Sequence, residues 1–270
     1  MSKSAIVTLL LFASTSAFAA LSPREVMVKN EEARKIPDSV AKASLATKSG
    51  DKERVKEFTW WRKLLDDGVH FNTLTRFHAP AEVKGEGILF LEKGADQNEV
   101  LMYLPAYKKI RRVESQNQSS SFMGSEFSYA DIATPHVDDY SYKMLKEENC
   151  PAFEGGQEHA GVKCHVVEST PVSDAVKERT GYSRLVSWVR SDNFMHVQVE
   201  FHDQGGTLVK RMQASEIKEV DPAKKKLMHM RVRMESVAKG KVTVLKFADV
   251  KTGQQIPDAT FTQASLSKEK

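Results

Sequence analysis

His136, with Asp131, Asp138 and Asp139 close by, is the nearest approach in this chain to a histidine–carboxylate group, the combination that acid–base catalysis and metal binding both use. Pro135 beside the histidine puts the group in a loop, where a surface cluster is the simpler reading. His70 and His78 stand eight residues apart on one strand face, too far for one metal centre. His196, His202 and His229 are isolated within strand-like segments and read as cross-strand surface residues. The chain has no G-x-S-x-G, no H-E-x-x-H and no phosphate-binding glycine loop, since Gly85-Glu86-Gly87 lacks both a further glycine and a helix to open. Residues 96–99 form a polar turn without the oxygen pattern of a calcium loop. The expectation is a protein without catalytic residues, metal or cofactor.

Chemistry of a different kind is expected at Cys150 and Cys164, the two cysteines of the chain, with thirteen residues between them. An isolated pair without C-x-x-C spacing reads as a disulfide when the compartment is oxidising, worth about 3 kcal/mol for a loop of this size. Metal ligation with His159 or His165 is the alternative, but four ligands at zinc spacing are lacking.

The first twenty residues argue for that compartment. Lys3, the apolar run over residues 5–13 and the small residues around Ala17, Ala19 and Ala20 have the layout of a secretory signal peptide, with the mature chain starting at Ala20 or Leu21. The apolar run is half the length that a membrane span needs. A soluble protein of the bacterial periplasm is expected. Loss of Lys3 with the leader takes the formal charge from +4 to +3, too little to suggest nucleic acid. Lys108, Lys109, Arg111 and Arg112 fall together, as do Lys224, Lys225 and Lys226. They read either as solvated strand and turn edges or as contacts with anionic lipid or a membrane-protein partner.

The elements that carry these residues are mostly strands. Ser22 and Pro23 start a short amphipathic helix that ends before Pro37. From Val40 onward the pattern has period two. Residues 54–64 and 69–77 form a hairpin about Asp66-Asp67-Gly68, and Trp60 and Trp61 must point to opposite faces. Further strands are expected at 85–91, 99–104, 108–113, 140–146, 162–169, 184–190, 194–201, 208–218, 228–235 and 241–247, the later ones as an antiparallel meander. Between them, residues 174–179 suggest a helical turn, and 259–266 an apolar tail that docks. A sheet of roughly ten strands with so few helices must curl, and a concave face not filled by its own helices becomes an apolar pocket. Residues 21–270 are expected to form one domain around it. The polar stretch 116–121 followed by Phe122, Met123, Phe127 and Tyr129 is a loop that must rest on the core edge or on a ligand mouth.

The same loop carries a resemblance. Leu104-Pro105-Ala106, the basic strand from Lys108 to Val113, and Ser121-Phe122-Met123-Gly124-Ser125-Glu126-Phe127-Ser128-Tyr129 with Asp131 resemble the LolA-like outer-membrane lipoprotein-sorting family. Phe247, Val250, Ile256-Pro257, Phe261-Thr262 and Leu266 resemble that family's terminal docking segment. The resemblance implies a mainly β fold, a curved antiparallel sheet forming an incomplete β-barrel with short helices as a lid, around an apolar cavity. It implies a periplasmic, non-catalytic carrier of a lipid or acylated protein, moving cargo between an inner-membrane transporter of the resistance-nodulation-division type and the outer membrane. The alternative is an accessory or sensor scaffold that binds such a transporter without cargo. Strand alternation nominates Trp60, Phe71, Phe77, Leu89, Leu91, Leu101, Trp188 and Phe194 for the cavity, with Phe122, Met123, Phe127 and Tyr129 as a movable rim. Lys108, Lys109, Arg111 and Arg112 are the candidate interface.

Overall fold

The computed structural model describes residues 20–93 and 98–268. Most of the expected leader, and Asp96 and Gln97 of the polar turn, lie outside the described residues. The chain begins with helix α1 (Pro23–Arg34), started as its sequence suggests. The Ser22 hydroxyl accepts from the Glu25 amide at 3.3 Å and the Glu25 carboxylate accepts from the Ser22 amide at 2.7 Å, a reciprocal cap with Pro23 just inside it.

The body is a single antiparallel sheet. Its first half comprises β1 (Asp38–Ser49), β2 (Lys52–Leu64), β3 (Phe71–Ala79), β4 (Gly87–Leu91), β5 (Glu99–Leu104) and β6 (Lys109–Val113). Its second half comprises β7 (Tyr140–Asn149), β8 (Lys163–Pro171), β9 (Tyr182–Arg190), β10 (His196–Asp203), β11 (Leu208–Asp221), β12 (Lys226–Ser236) and β13 (Lys241–Thr252). The 13 strands lie in the order β6-β5-β4-β3-β2-β1-β13-β12-β11-β10-β9-β8-β7. Each half is a meander, and pairing of β1 with β13 joins the two halves, so that the chain enters the sheet at its middle. Three short helices accompany them: α2 (Tyr129–Ile132), α3 (Asp174–Thr180) and α4 (Gln263–Leu266). The sheet is curved and does not close into a barrel, the LolA-like incomplete-barrel architecture.

This topology forces a crossing. The two edge strands, β6 and β7, are consecutive in the chain, yet twelve inter-strand gaps separate them, an arc of about 58 Å along the sheet. The segment 114–139 between them therefore spans the open side, and with α1 it covers the concave face. Phe122 and Phe127 from this segment join Leu45, Phe58, Phe77, Phe90, Phe201 and Leu245 in the main core cluster.

The convex face is also partly covered. Leu74, Leu89, Leu101 and Tyr103 lie beneath Ile256, Phe261 and Leu266 of the C-terminal tail, which docks as its apolar residues suggest. Arg76 secures it by donating to the backbone carbonyls of Ser265 and Leu266 at 2.9 and 3.0 Å. A Cβ at Gly87 would stand 2.8 Å from a Leu266 methyl, so glycine is what lets the tail lie this close.

Leu89, Leu91 and Leu101 therefore do not line a concave cavity, contrary to the sequence expectation: their apolar character serves the tail on the opposite face. Trp188 is likewise on the convex side, beside Cys150, Cys164 and Val197, with its indole N–H donating to Glu148 at 2.8 Å. Cys150 and Cys164 are joined in a disulfide, with Cα atoms 5.0 Å apart, that ties the end of edge strand β7 to β8. Lys109, Arg111 and Arg112 lie on the other edge strand, β6, and Lys108 at its entrance. Charge there suits an edge that must not pair with another chain.

Candidate functional site

A half-open cavity of about 280 Å³ lies on the concave face between α1 and the crossing segment. Its floor comes from alternate residues of the strands: Trp60 and Arg62 of β2, Leu185 and Ser187 of β9, Val199 and Phe201 of β10, Met212 of β11, Met228, Val232 and Met234 of β12, and Leu245 and Phe247 of β13. One wall is α1, which presents Met27, Asn30, Glu31 and Arg34, the i, i+3, i+4, i+7 set that shares a helix face. The opposite wall runs from Phe127 to Val137. Methionine at four lining positions gives a surface that adapts to an irregular apolar guest.

Both walls are held firmly. Val26 of α1 is buried against Val167 and Val189, and the Asn30 amide donates to the Phe194 carbonyl at 2.6 Å. Ser128 caps α2 reciprocally with Asp131. One Asp131 oxygen then accepts from the Tyr182 hydroxyl and the other from Lys210 Nζ, both at 2.9 Å. Phe122 is fully buried, with its ring centroid 5.6 Å from Tyr129, 6.3 Å from Phe77 and 6.4 Å from Phe90. Phe122 is thus an anchor inside the core rather than a rim, and Tyr129 and Met123 pack in the same cluster. Of the four expected rim residues, only Phe127 reaches the cavity.

Trp60 alone among the eight expected lining residues borders the cavity. Phe77 faces inward but is consumed in the core against Phe58, at 4.9 Å between ring centroids. Phe71 lies beneath the Arg62 guanidinium, 3.8 Å from the ring centre, and Phe194 packs beside α1 with Lys29 above it. The histidine–carboxylate group does not assemble either: Asp131 is bound to Tyr182 and Lys210, Asp138 pairs with Arg24, and Asp139 pairs with Arg179 at 3.0 Å. His136 instead meets Glu92 at 3.3 Å and stacks edge-on against His70. Burial draws the His136 pKa down, but the nearby Glu92 carboxylate, with Asp139 and Glu31 beyond it, outweighs burial, and the net shift is upward. Among the described residues no group of three or more His, Cys, Asp or Glu is arranged to hold a metal ion.

Four polar residues that sequence reasoning left out or left on the surface share the cavity: Arg34, Arg62, His196 and His229. The two imidazoles stack with centroids 4.7 Å apart and are not surface residues. Burial, with Arg34 as the next cause, pushes the His229 pKa down to about 3 and that of His196 well below its usual range. Both are therefore neutral in the folded protein at pH 7.

A group that is harder to protonate when folded lets the unfolded chain bind more protons, so stability is complete above the ordinary histidine pKa near 6.5 and falls as pH drops below it. Between pH 7 and pH 5, His229 alone is expected to cost roughly 2 kcal/mol. Urea denaturation of the wild type and of H229Q at both pH values measures it. A smaller acid loss in the variant is expected; equal losses would mean that the imidazole is not buried neutral.

Residues 70–268 match a family model whose description reads "-like: Uncharacterized protein". The chain belongs to that family. No curated protein matches it. Among solved structures, a DUF1329 family protein from Desulfovibrio piger is 27% identical, with a TM-score of 0.81 over 90% of this chain and 97% of that one. A "putative outer membrane lipoprotein-sorting protein domain" from Vibrio parahaemolyticus is 24% identical, with a TM-score of 0.80 over 91% and 98%. The LolA superfamily protein NE2245 from Nitrosomonas europaea is 22% identical, with a TM-score of 0.70 over 91% and 100%. The likeness to these three structures is one of shared fold over nearly the whole of each chain. No described helix is long and apolar enough to cross a membrane.

Proposed function

We propose that this chain is a non-catalytic binding protein or carrier for an acyl-chain ligand, working in the periplasm and passing its cargo between membranes. The observation that carries the reading is the half-open, largely apolar cavity, lined by Trp60, Leu185, Val199, Met212 and Phe247 and left unfilled by α1 and the crossing segment. Each alkyl methylene buried there is worth about 0.8 kcal/mol, so a modest chain supplies micromolar affinity without any covalent chemistry. The likeness in fold to proteins described as lipoprotein-sorting and LolA superfamily supports the same reading, as does the leader-like amino terminus. The disulfide fits an oxidising compartment.

The volume narrows the cargo. At about 280 Å³ the cavity is near the small end of ligand pockets, which suits a single chain and not a multiply acylated lipid held whole. Native mass spectrometry of protein purified from the periplasm without detergent tests the proposal. A bound amphiphile at one per protein chain is expected, released by solvent extraction. Protein that is consistently empty, and that takes up no alkyl amphiphile when offered one, would refute it.

A further inference from the structure

Buried charge in this protein is matched almost everywhere. Of the carboxylates around the cavity, Asp131 is held by Lys210 at 2.9 Å, Glu31 by Lys35 at 3.4 Å and Glu92 by His136 at 3.3 Å. Arg34 and Arg62, like Arg76 beneath the tail, form no ion pair among the described residues, and unlike Arg76 they face a cavity. Their bonds to protein go to neutral groups. Arg34 donates to the side-chain and backbone oxygens of Asn30 at 3.0 and 3.3 Å. Arg62 donates once, to the Thr134 hydroxyl at 2.7 Å, and its buried Nε has no acceptor. Glu31 and Glu92 lie near enough to offset part of the cost of holding two cations side by side, but among the described residues neither carboxylate bonds to a guanidinium. Burial, and then Arg62, draws the Arg34 pKa down to about 10, with Glu31 opposing the shift.

The Phe71 ring and the Thr134 hydroxyl hold the Arg62 guanidinium at the cavity wall, and Asn30 holds that of Arg34. Two forked donors facing one apolar cavity are the combination that receives an oxyanion, since guanidinium groups match carboxylate and phosphate in shape as well as charge.

We propose that Arg34 and Arg62 form a headgroup subsite, and that the cavity takes a single-chain anionic amphiphile whose carboxylate or phosphate enters first, toward these two residues. The alkyl chain then lies along Trp60, Leu185, Val199, Met212 and Phe247. The proposal rests on the acyl-chain reading above and specifies its ligand class.

The test compares dodecanoate, dodecyl phosphate and dodecanol, which share one tail, by calorimetric titration against the wild-type protein. The anions are expected to bind about tenfold or more tighter than the alcohol, as charge-assisted hydrogen bonds require. Tighter binding of dodecanoate or of dodecyl phosphate identifies the headgroup chemistry. Equal binding of all three would overturn the headgroup subsite while leaving the carrier reading intact; no binding of any would overturn both. In R34Q/R62M, where methionine keeps an apolar side chain over Phe71, the preference for the anions over the alcohol, both measured on the variant, should be lost. Retained anion preference in that variant would overturn the assignment to these two residues. The wild-type comparison decides the matter if the variant does not fold.

Discussion

Replacing Leu185 with tryptophan is expected to weaken alkyl-ligand binding at least tenfold while leaving the sheet intact. Leu185 projects from β9 into the cavity beside Val199 and Phe201, where a bulkier side chain occupies the space that cargo needs. Excluding about three methylenes from burial costs roughly 2.4 kcal/mol, which exceeds a tenfold change in affinity. The substitution also carries an overpacking cost of about 1–3 kcal/mol in stability, so the urea midpoint must be measured alongside. Binding unchanged in a folded Leu185→Trp protein would place the ligand elsewhere.

The largest expected loss of stability is at Phe122. Its side chain is fully buried among Phe77, Phe90 and Tyr129, and it pins the segment that bridges the two edge strands. Phe122→Ala should cost about 3–5 kcal/mol, because the cavity it leaves is walled by rings fixed from the sheet and cannot collapse well. The loss should appear in urea unfolding as a lower midpoint. A loss below about 1 kcal/mol would mean that the crossing segment is held by its polar contacts, chiefly Asp131 to Tyr182 and Lys210, and not by this ring.

Strand positions were legible in the sequence wherever one face alternates cleanly. The hairpin expected at 54–64 and 69–77 is β2 and β3, and Trp60 and Trp61 do point to opposite faces. The C-terminal meander and the docking tail were also readable. The pairing of β1 with β13 was not, because nothing local signals contact between segments some two hundred residues apart. The curvature nevertheless follows once many strands must be covered by few helices.

The face assignments in β4 and β5 failed for a specific reason. Ile88 and Phe90 point to the concave core while Leu89 points to the tail, so this strand is apolar on both sides and alternation carries no direction. The polar half of the site was hidden by the opposite effect. Arg34 lies in a helix full of charges and Arg62 between two other polar or aromatic residues, and such positions ordinarily face water. The signal that was available is the spacing of Met27, Asn30, Glu31 and Arg34, which marks one helix face with a methionine and an amide among the charges. His196 and His229 lie on β10 and β12, which are not neighbours in the sheet. Their contact reaches over β11 along the concave surface, a product of curvature that no sequence window contains.

The three tryptophans offer the most direct measurement of where cargo sits. Trp60 borders the cavity, whereas Trp61 and Trp188 belong to the clusters on the convex face. Bromine on an alkyl chain quenches indole fluorescence only at contact. In a W61F/W188F protein, where Trp60 is the sole emitter, a brominated fatty acid is expected to quench most of the emission at one equivalent; in W60F the remaining emission should be unchanged. Quenching of the W60F protein, with Trp60 emission untouched, would contradict a ligand held on the concave face.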